Sequence, residues 1–290
     1  MEQLRIFQKG WNYRQDGPGN RLVYHLQGCN LHCPWCANPE GMLPEGVLMV
    51  KNDKLIPSVC PHGSIHDGNI DRRLCGRCSS MECVTTNLNQ GIRLSYKVNS
   101  CESLFQEVMA SKHLFHSGGG ITLSGGEPTV QYDAVRYFLR LLKEEGINTT
   151  IETNGSHPEL SGLFPLIDML IIDFKHYDTD RAHSVVGVKN GVVISNISRA
   201  AKEHGNVLIR ITLIPEFNDT MDDMLQFLSI LRNLPQEHVV IEFLSYHEYG
   251  RVKWEECGMK YKMHVARGFK EDIAGYESLF RKAGMNVIRT

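Results

Sequence analysis

Apolar residues along the chain fall into short strand-like runs separated by longer stretches of helical period. Arg21–Gln27 (RLVYHLQ) reads as a strand that runs almost directly into a cysteine. Further strand-like runs are Gly120–Leu123, Asn148–Ile151, Met169–Asp173, Val207–Ile214, Val239–Phe243 and a last one near Asn286–Arg289. Between them, Asp133–Glu145 puts Val135, Phe138, Leu139, Leu141 and Leu142 on one stripe, the mark of an amphipathic helix. Asp222–Arg232 and Tyr276–Ala283 repeat that pattern. Strands alternating with helices predict a parallel sheet whose crossovers are helical. About six such units are too few for a closed eight-fold barrel, so the predicted fold class is α/β, a partial (β/α)6 TIM-like barrel.

One segment breaks the rhythm. Residues 48–98 show little helical periodicity and contain the loop-like stretch His66–Arg72. A gap of that size between the first and second strands predicts a small inserted module, so the chain divides into 1–47, an insert at 48–98, and 99–290. Composition is that of an ordinary globular chain, 42% hydrophobic and 22% charged over 290 residues. The net charge of -2 provides no field for nucleic acid, and no run of about 18 apolar residues offers a membrane span. The N-terminal residues lack the apolar stretch of a signal peptide. A cytoplasmic protein without nucleic-acid or membrane partners is expected.

Cysteine usage changes the picture. A cytosolic chain keeps its thiols reduced, so nine cysteines call for an explanation other than disulfides. Cys29, Cys33 and Cys36 form one group; Cys60, Cys75, Cys78 and Cys83 form a second; Cys101 and Cys257 stand alone. Short thiol spacings read as metal or iron–sulfur ligands, which makes the insert a small iron–sulfur module held by its metal centre more than by apolar burial. Three thiolates on a four-iron cubane leave one iron open to a reacting molecule, as catalytic zinc sites keep an open position. The same spacing also serves a zinc loop or reactive thiols. Ser124-Gly125-Gly126-Glu127-Pro128 follows the strand Gly120–Leu123, and its glycines let a ligand approach the main chain. That motif lies at the C-terminal strand end, the face where ligands of such barrels gather.

Cys29-x3-Cys33-x2-Cys36, with Trp35 just before the third thiol, resembles the signature of the radical S-adenosylmethionine superfamily. The resemblance implies a [4Fe–4S] cluster coordinated by three cysteines and S-adenosylmethionine. An electron from that cluster breaks a carbon–sulfur bond and yields a 5′-deoxyadenosyl radical. Trp35, Cys36 and Ala37 would lie against the cofactor, and Gly125, Gly126 and Glu127 would take its amino group.

The likeness extends outward. Asp16-Gly17-Pro18-Gly19, Arg21 and Leu26-Gln27-Gly28-Cys29 resemble the N-terminal pattern of glycyl-radical-enzyme activating enzymes of the pyruvate formate-lyase activase type. Glu152-Thr153-Asn154-Gly155, Asp173-Phe174-Lys175, Arg210, Pro215 and Tyr246-His247-x2-Gly250-x2-Lys253-Trp254 follow in the family's order. The resemblance implies that Asp173, Phe174 and Lys175 serve the carboxylate and ribose region, and that Asn154, Arg210 and His247 also serve the cofactor. Glu152 and Thr153 would help hold a monovalent cation, although the family more often has aspartate at position 152. Asp16 would position the partner's glycine loop; by itself it reads as a turn residue.

In the insert, Cys60-Pro61 resembles the Cys-Pro end of a ferredoxin run, and Cys75-x2-Cys78-x4-Cys83 resembles a second run with Met81 where a cysteine normally falls. Four thiolates suit one auxiliary [4Fe–4S] cluster, with a tetrahedral zinc as the alternative. Such a cluster would relay electrons from a flavodoxin or ferredoxin, or help dock the partner. The expected activity is removal of a hydrogen atom from a backbone glycine of a partner glycyl radical enzyme under anaerobic conditions. Two alternatives stand beside it: a radical enzyme acting on a small molecule or peptide, and a non-enzymatic iron–sulfur carrier or zinc-stabilised binding protein.

Overall fold

Leu4 and Ile6 turn inward while Gln3 and Arg5 face solvent, and this alternation starts an 11-residue strand, β1 (Gln3–Tyr13). It pairs antiparallel with β2 (Asn20–Leu26), the strand that feeds the first cysteine group. The computed structural model describes residues 2–55, 60, 62–66, 69–75, 78, 80–86, 91–263 and 270–290. Pro61 lies outside them. The sequence pattern did not predict β1, because beyond Phe7 its residues are polar or half-exposed on both faces.

After β2 come four short strands of the insert: β3 (Leu48–Val50), β4 (Ile65–His66), β5 (Asn69–Ile70) and β6 (Ile92–Leu94). With them are the single-turn helices α1 (Arg72–Cys75) and α2 (Glu82–Thr86). β3 and β6 pair antiparallel and close the neck of the insert; β4 and β5 form a hairpin. The next strand, β7 (Lys97–Ser100), pairs with β1 in the main sheet. The boundary read at residue 98 therefore falls inside a strand that the main sheet holds.

The rest alternates as the pattern predicts: α3 (Cys101–Ser111), β8 (Gly120–Gly125), α4 (Tyr132–Glu144), β9 (Thr149–Thr153), β10 (Met169–Asp173), α5 (Thr179–Val186), α6 (Gly191–Glu203), β11 (Val207–Leu213), α7 (Met221–Leu231), β12 (Val239–Ser245), α8 (Arg251–Glu256), α9 (Lys270–Lys282) and β13 (Asn286–Ile288). The main sheet runs β13-β12-β11-β10-β9-β8-β2-β1-β7, parallel from β13 to β2 and antiparallel beyond. Its two end strands do not pair with each other, so the barrel is partial.

Helix faces follow sequence period. In α4, Ala134, Val135, Phe138, Leu139 and Leu142 are buried and Leu141 packs at the margin. Ser100 caps α3 by accepting the Ser103 N–H. One crossover differs from expectation. Between β9 and β10 the chain makes only a 3-10 turn, Leu160–Leu166, with Pro165 inside it. At the floor of the barrel, Arg21 is fully buried and donates to Thr122 Oγ1 (2.7 Å), the Ile121 carbonyl (2.6 Å) and Asn148 Oδ1 (2.9 Å). Among the described residues, no helix is long and apolar enough to cross a membrane.

Candidate functional site

The parallel strands deliver their C-terminal ends to one rim, and a cavity of about 250 Å³ opens there. Cys29, Cys33 and Cys36 line it from the loop after β2, together with Trp35 and Ala37. Main-chain bonds hold that loop: Gly28 N–H to the Gly41 carbonyl (2.8 Å), Cys29 N–H to Met42 (2.9 Å), His32 N–H to Val186 (3.0 Å) and Cys36 N–H to Cys33 (3.1 Å). Leu31 and Trp35 pack into an apolar cluster with Ile214, Phe217 and Tyr246, the Trp35 and Phe217 rings 4.9 Å apart.

The sulfurs sit in a setting suited to bound iron. Cys29 Sγ accepts the Leu31 N–H and Cys36 Sγ the Asn38 N–H, both at 3.4 Å. Burial pushes all three thiols upward, that of Cys33 to about 12. Thiolates in such a place need a strong positive partner, and cluster iron supplies one.

Gly125 and Gly126 end β8 against the same loop. Gly125 has φ +112°, and a Cβ on Gly126 would stand 2.3 Å from the Gly28 carbonyl oxygen. No side chain fits at that approach, so the main chain forms the cavity wall. Glu127 behaves differently from expectation. It does not line the cavity, and its buried carboxylate accepts from Thr129 N (3.0 Å), Thr129 Oγ1 (2.6 Å), Thr153 Oγ1 (2.7 Å) and Asn154 N (2.6 Å). The residue caps the turn Pro128–Gln131 and ties β8 to the end of β9. All four of these donors belong to the protein.

Glu152, Thr153 and Asn154 line the cavity from β9 and just beyond it, and Asp173 and Lys175 from the end of β10. Asp173 and Lys175 form an ion pair at 2.9 Å. Burial opposes the Lys175 charge, but Asp173 and the thiols of Cys33 and Cys36 hold its titration above the ordinary lysine range. Phe174, between them, points into the core edge-on to Phe227 (5.0 Å) and does not reach the main cavity. Asn154 Nδ2 donates to Asn30 Oδ1 (2.8 Å), linking this wall to the cysteine loop.

Arg210 lies behind the wall, 5% exposed, bonded to Glu152 Oε1 (2.5 Å) and Glu242 Oε2 (2.8 Å). Asp16 sits beneath Glu152 and does not line the cavity. Asn12 Nδ2 donates to the Asp16 carboxyl, and burial, then Glu152, raises that carboxyl to about 6. His247 lines the outer rim, stacked on the exposed Tyr249 ring at 4.4 Å. Thr212 and Ser245, near and at the C-terminal ends of β11 and β12, and Ser124 on β8 also line the cavity. Sequence reasoning missed Thr212 and Ser245 and named Ser124 only as part of its motif, although small polar residues at strand ends were available as a signal.

The block after β12 has a second task. Trp254 Nε1 donates to the Cys36 carbonyl (2.9 Å), and Lys253 Nζ reaches Asn38 Oδ1 (2.8 Å) and Glu40 Oε1 (2.7 Å). Thus α8 clamps the cysteine loop. Its other end meets the insert, where Arg72 donates to the Leu48 carbonyl (2.5 Å) and to the Glu256 carbonyl (2.7 Å).

In the insert, Cys60, Cys75, Cys78 and Cys83 line one small cavity with Ser64 and Met81. Ser64 Oγ lies 2.9 Å from Cys60 Sγ and 3.7 Å from Cys75 Sγ. Burial raises Cys83, as do the other three thiols beside it. At Cys60 burial, the largest single effect, is outweighed by the hydrogen bonds of Ser64, His62 and Gly63 together, which lower it. Among the described residues, no three His, Cys, Asp or Glu side chains are grouped as ligands of a single metal ion. Cys101 and Cys257 are buried away from both groups.

Comparison with known proteins agrees with this geometry. The sequence model of the radical SAM superfamily matches residues 23–228. The 4-hydroxyphenylacetate decarboxylase activating enzyme of Clostridioides difficile (strain 630) is 32% identical over 89% of this chain and 88% of its own. The (2S)-3-sulfopropanediol sulfolyase activating enzyme of Bilophila wadsworthia (strain 3_1_6) is 33% identical over 89% of each chain. In fold, a radical SAM methyltransferase from Sphaerobacter thermophilus superimposes with a TM-score of 0.53 at 17% identity, over 96% of this chain and 67% of that one.

Proposed function

The chain belongs to the radical SAM superfamily, within its glycyl-radical-enzyme activating branch, and on that premise we propose that Cys29, Cys33 and Cys36 hold the [4Fe–4S] cluster whose remaining iron takes S-adenosylmethionine. The activity is that of an activating enzyme: reductive cleavage of S-adenosylmethionine and abstraction of a hydrogen atom from a backbone glycine of a partner glycyl radical enzyme. The observation that carries the residue assignment is convergence. Three thiols, a glycine-only stretch of wall, the Asp173–Lys175 pair and His247 line one cavity on the C-terminal rim.

When bound, the reduced cluster and S-adenosylmethionine supply the bond cleavage and the hydrogen-abstracting group. The chain supplies position. Gly125 and Gly126 bring main-chain acceptors up to the amino group of the methionine moiety. Asp173 and Lys175 offer both signs of charge to the carboxylate and ribose region, and Asn154 holds that wall to the cysteine loop. Glu127 is a positioning residue that fixes Thr153 and Asn154. His247 and Tyr249 stand at the rim, where an extended glycine loop enters. Glycine suits the reaction because its α-radical is planar and delocalised into both flanking amides.

The insert takes an auxiliary [4Fe–4S] cluster on Cys60, Cys75, Cys78 and Cys83; the support is that all four line one cavity. A flavodoxin or ferredoxin is the electron donor, and the cytoplasm, which keeps nine free thiols reduced, is the compartment.

The test is anaerobic reconstitution with iron and sulfide, reduction by dithionite with S-adenosylmethionine, and chromatographic quantification of 5′-deoxyadenosine, with Cys33→Ala as the blank. A partner carrying α-deuterated glycine is expected to pass deuterium into the product. Product without deuterium would move the substrate elsewhere, and no product from iron-loaded protein would overturn the radical assignment.

A further inference from the structure

The resemblance to activating enzymes implies a monovalent cation at Glu152 and Thr153, and the residues here do not fit one. Glu152 Oε1 accepts Arg210 Nη1 at 2.5 Å, and Oε2 accepts Ser124 Oγ at 2.7 Å. The Asp16 carboxyl shares a hydrogen bond with the same carboxylate. Thr153 Oγ1 donates to Glu127 Oε1 (2.7 Å) and accepts the Gly155 N–H (3.0 Å). Asp173, the next carboxylate along the wall, is paired with Lys175 at 2.9 Å. Both Glu152 oxygens, Thr153 Oγ1 and Asp173 Oδ2 already have a protein partner.

Arg210 is held as firmly as the groups it serves. Its Nε bonds Glu242 Oε2 (2.8 Å), Nη1 bonds Glu152, and Nη2 donates to the Gln15 carbonyl. Glu242 in turn accepts the Thr290 N–H at 2.9 Å. The guanidinium is thus a fixed positive charge with two carboxylates on it, 5% exposed and directly behind the cavity wall. A planar, permanently charged fork fits between the two carboxylates.

We propose that in this chain the Arg210 guanidinium takes the place of the monovalent cation, so that cofactor binding does not depend on an alkali ion. The extra methylene of Glu152 over aspartate is what makes the exchange possible, because it lets the carboxylate reach both Arg210 and Ser124. The inference rests on the S-adenosylmethionine reading, and its test separates the two.

The anaerobic holoenzyme is dialysed to equilibrium against S-adenosylmethionine in sodium, potassium or tetramethylammonium chloride at equal ionic strength. The wild type is expected to bind within about twofold in all three. Glu152→Asp, which withdraws the carboxylate from Arg210, is expected to bind weakly in tetramethylammonium and to recover in sodium or potassium. Wild-type binding that weakens about tenfold without an alkali ion, or a Glu152→Asp protein as indifferent as the wild type, overturns the proposal. Sodium-23 relaxation on the same holoenzyme without cofactor decides independently of S-adenosylmethionine. Equal relaxation for wild type and Glu152→Gln supports the internal charge, and an excess in the wild type overturns it. Failure to bind S-adenosylmethionine in every salt counts against the functional reading instead.

Discussion

The two cysteine groups occupy opposite kinds of surroundings. The barrel group sits on a loop fastened by four main-chain hydrogen bonds, by an apolar cluster around Trp35 and by the clamp from α8. Among the described residues, the insert group has an apolar core of Val50, Cys83 and Ile92, with Leu48, Leu55, Ile70 and Val84 at its margin. Its sulfurs are themselves hydrogen-bonding partners of Ser64 and Ser80. On the proposed reading, the site that presents an open iron stands on a loop fixed by the protein's own packing and hydrogen bonds. The insert, with so little apolar burial, takes its metal centre as its core on that same reading.

The largest effect should come from single thiols. Cys36→Ala is expected to abolish 5′-deoxyadenosine formation. Cys75→Ala is expected to keep it under dithionite while the purified, reconstituted protein carries about four fewer irons. Iron analysis and product assay on both variants check this, and product loss in Cys75→Ala would merge the two regions into one functional unit.

Next come core truncations. Leu123→Ala on β8 should cost about 3 kcal/mol in urea unfolding with or without metal. Ile92→Ala should cost about 2 kcal/mol in loaded protein and leave the metal-free transition unmoved. A metal-free cost equal to that of Leu123→Ala would show that the insert folds by itself.

Trp254→Phe keeps an aromatic ring, smaller than the indole, and removes the donor to the Cys36 carbonyl. A loss of about 1 kcal/mol is expected, with faster iron release to a chelator. Unchanged release would mean that the main-chain bonds alone hold the loop.

The smallest effect concerns Asp16. Its carboxyl is raised from 3.8 to about 6 by burial and by Glu152. The stabilisation from the protonated form is therefore complete below 3.8 and lost as pH rises through about 6. Asp16→Asn cannot ionise, so its melting temperature should decline less across that window than the wild type's. Equal slopes would remove Asp16 from the cluster under Glu152.

How much of this was legible in the chain depends on distance along it. β8 to β12 and α4 announce themselves by local period, and the cysteine loop by its spacing. The Gly125–Gly126 wall was also readable, since close approach is what glycine pairs allow. β1 was not, because most of its length is polar on both faces and its pairing is set by β2 and β7. The engagement of Glu127 was hidden as well: its partners Thr153 and Asn154 lie 26 and 27 residues onward and meet it only through the sheet. Arg210 and Glu152, 58 residues apart, show the same limit. Spacing locates the rim and the cysteine loop, while which side chains face the cavity and which partners they find come from the register of neighbouring strands.

The α8 clamp carries a consequence for the order of synthesis. Trp254 and Cys36 are 218 residues apart, so a nascent chain has all three barrel thiols long before their loop is secured. Iron captured early would sit on a loop lacking its last hydrogen bond and its Lys253–Glu40 pair. If the three thiols hold the cluster as proposed, loading after α8 has folded back is the expected order, and a chain cut short before residue 254 would keep the thiols but not the grip.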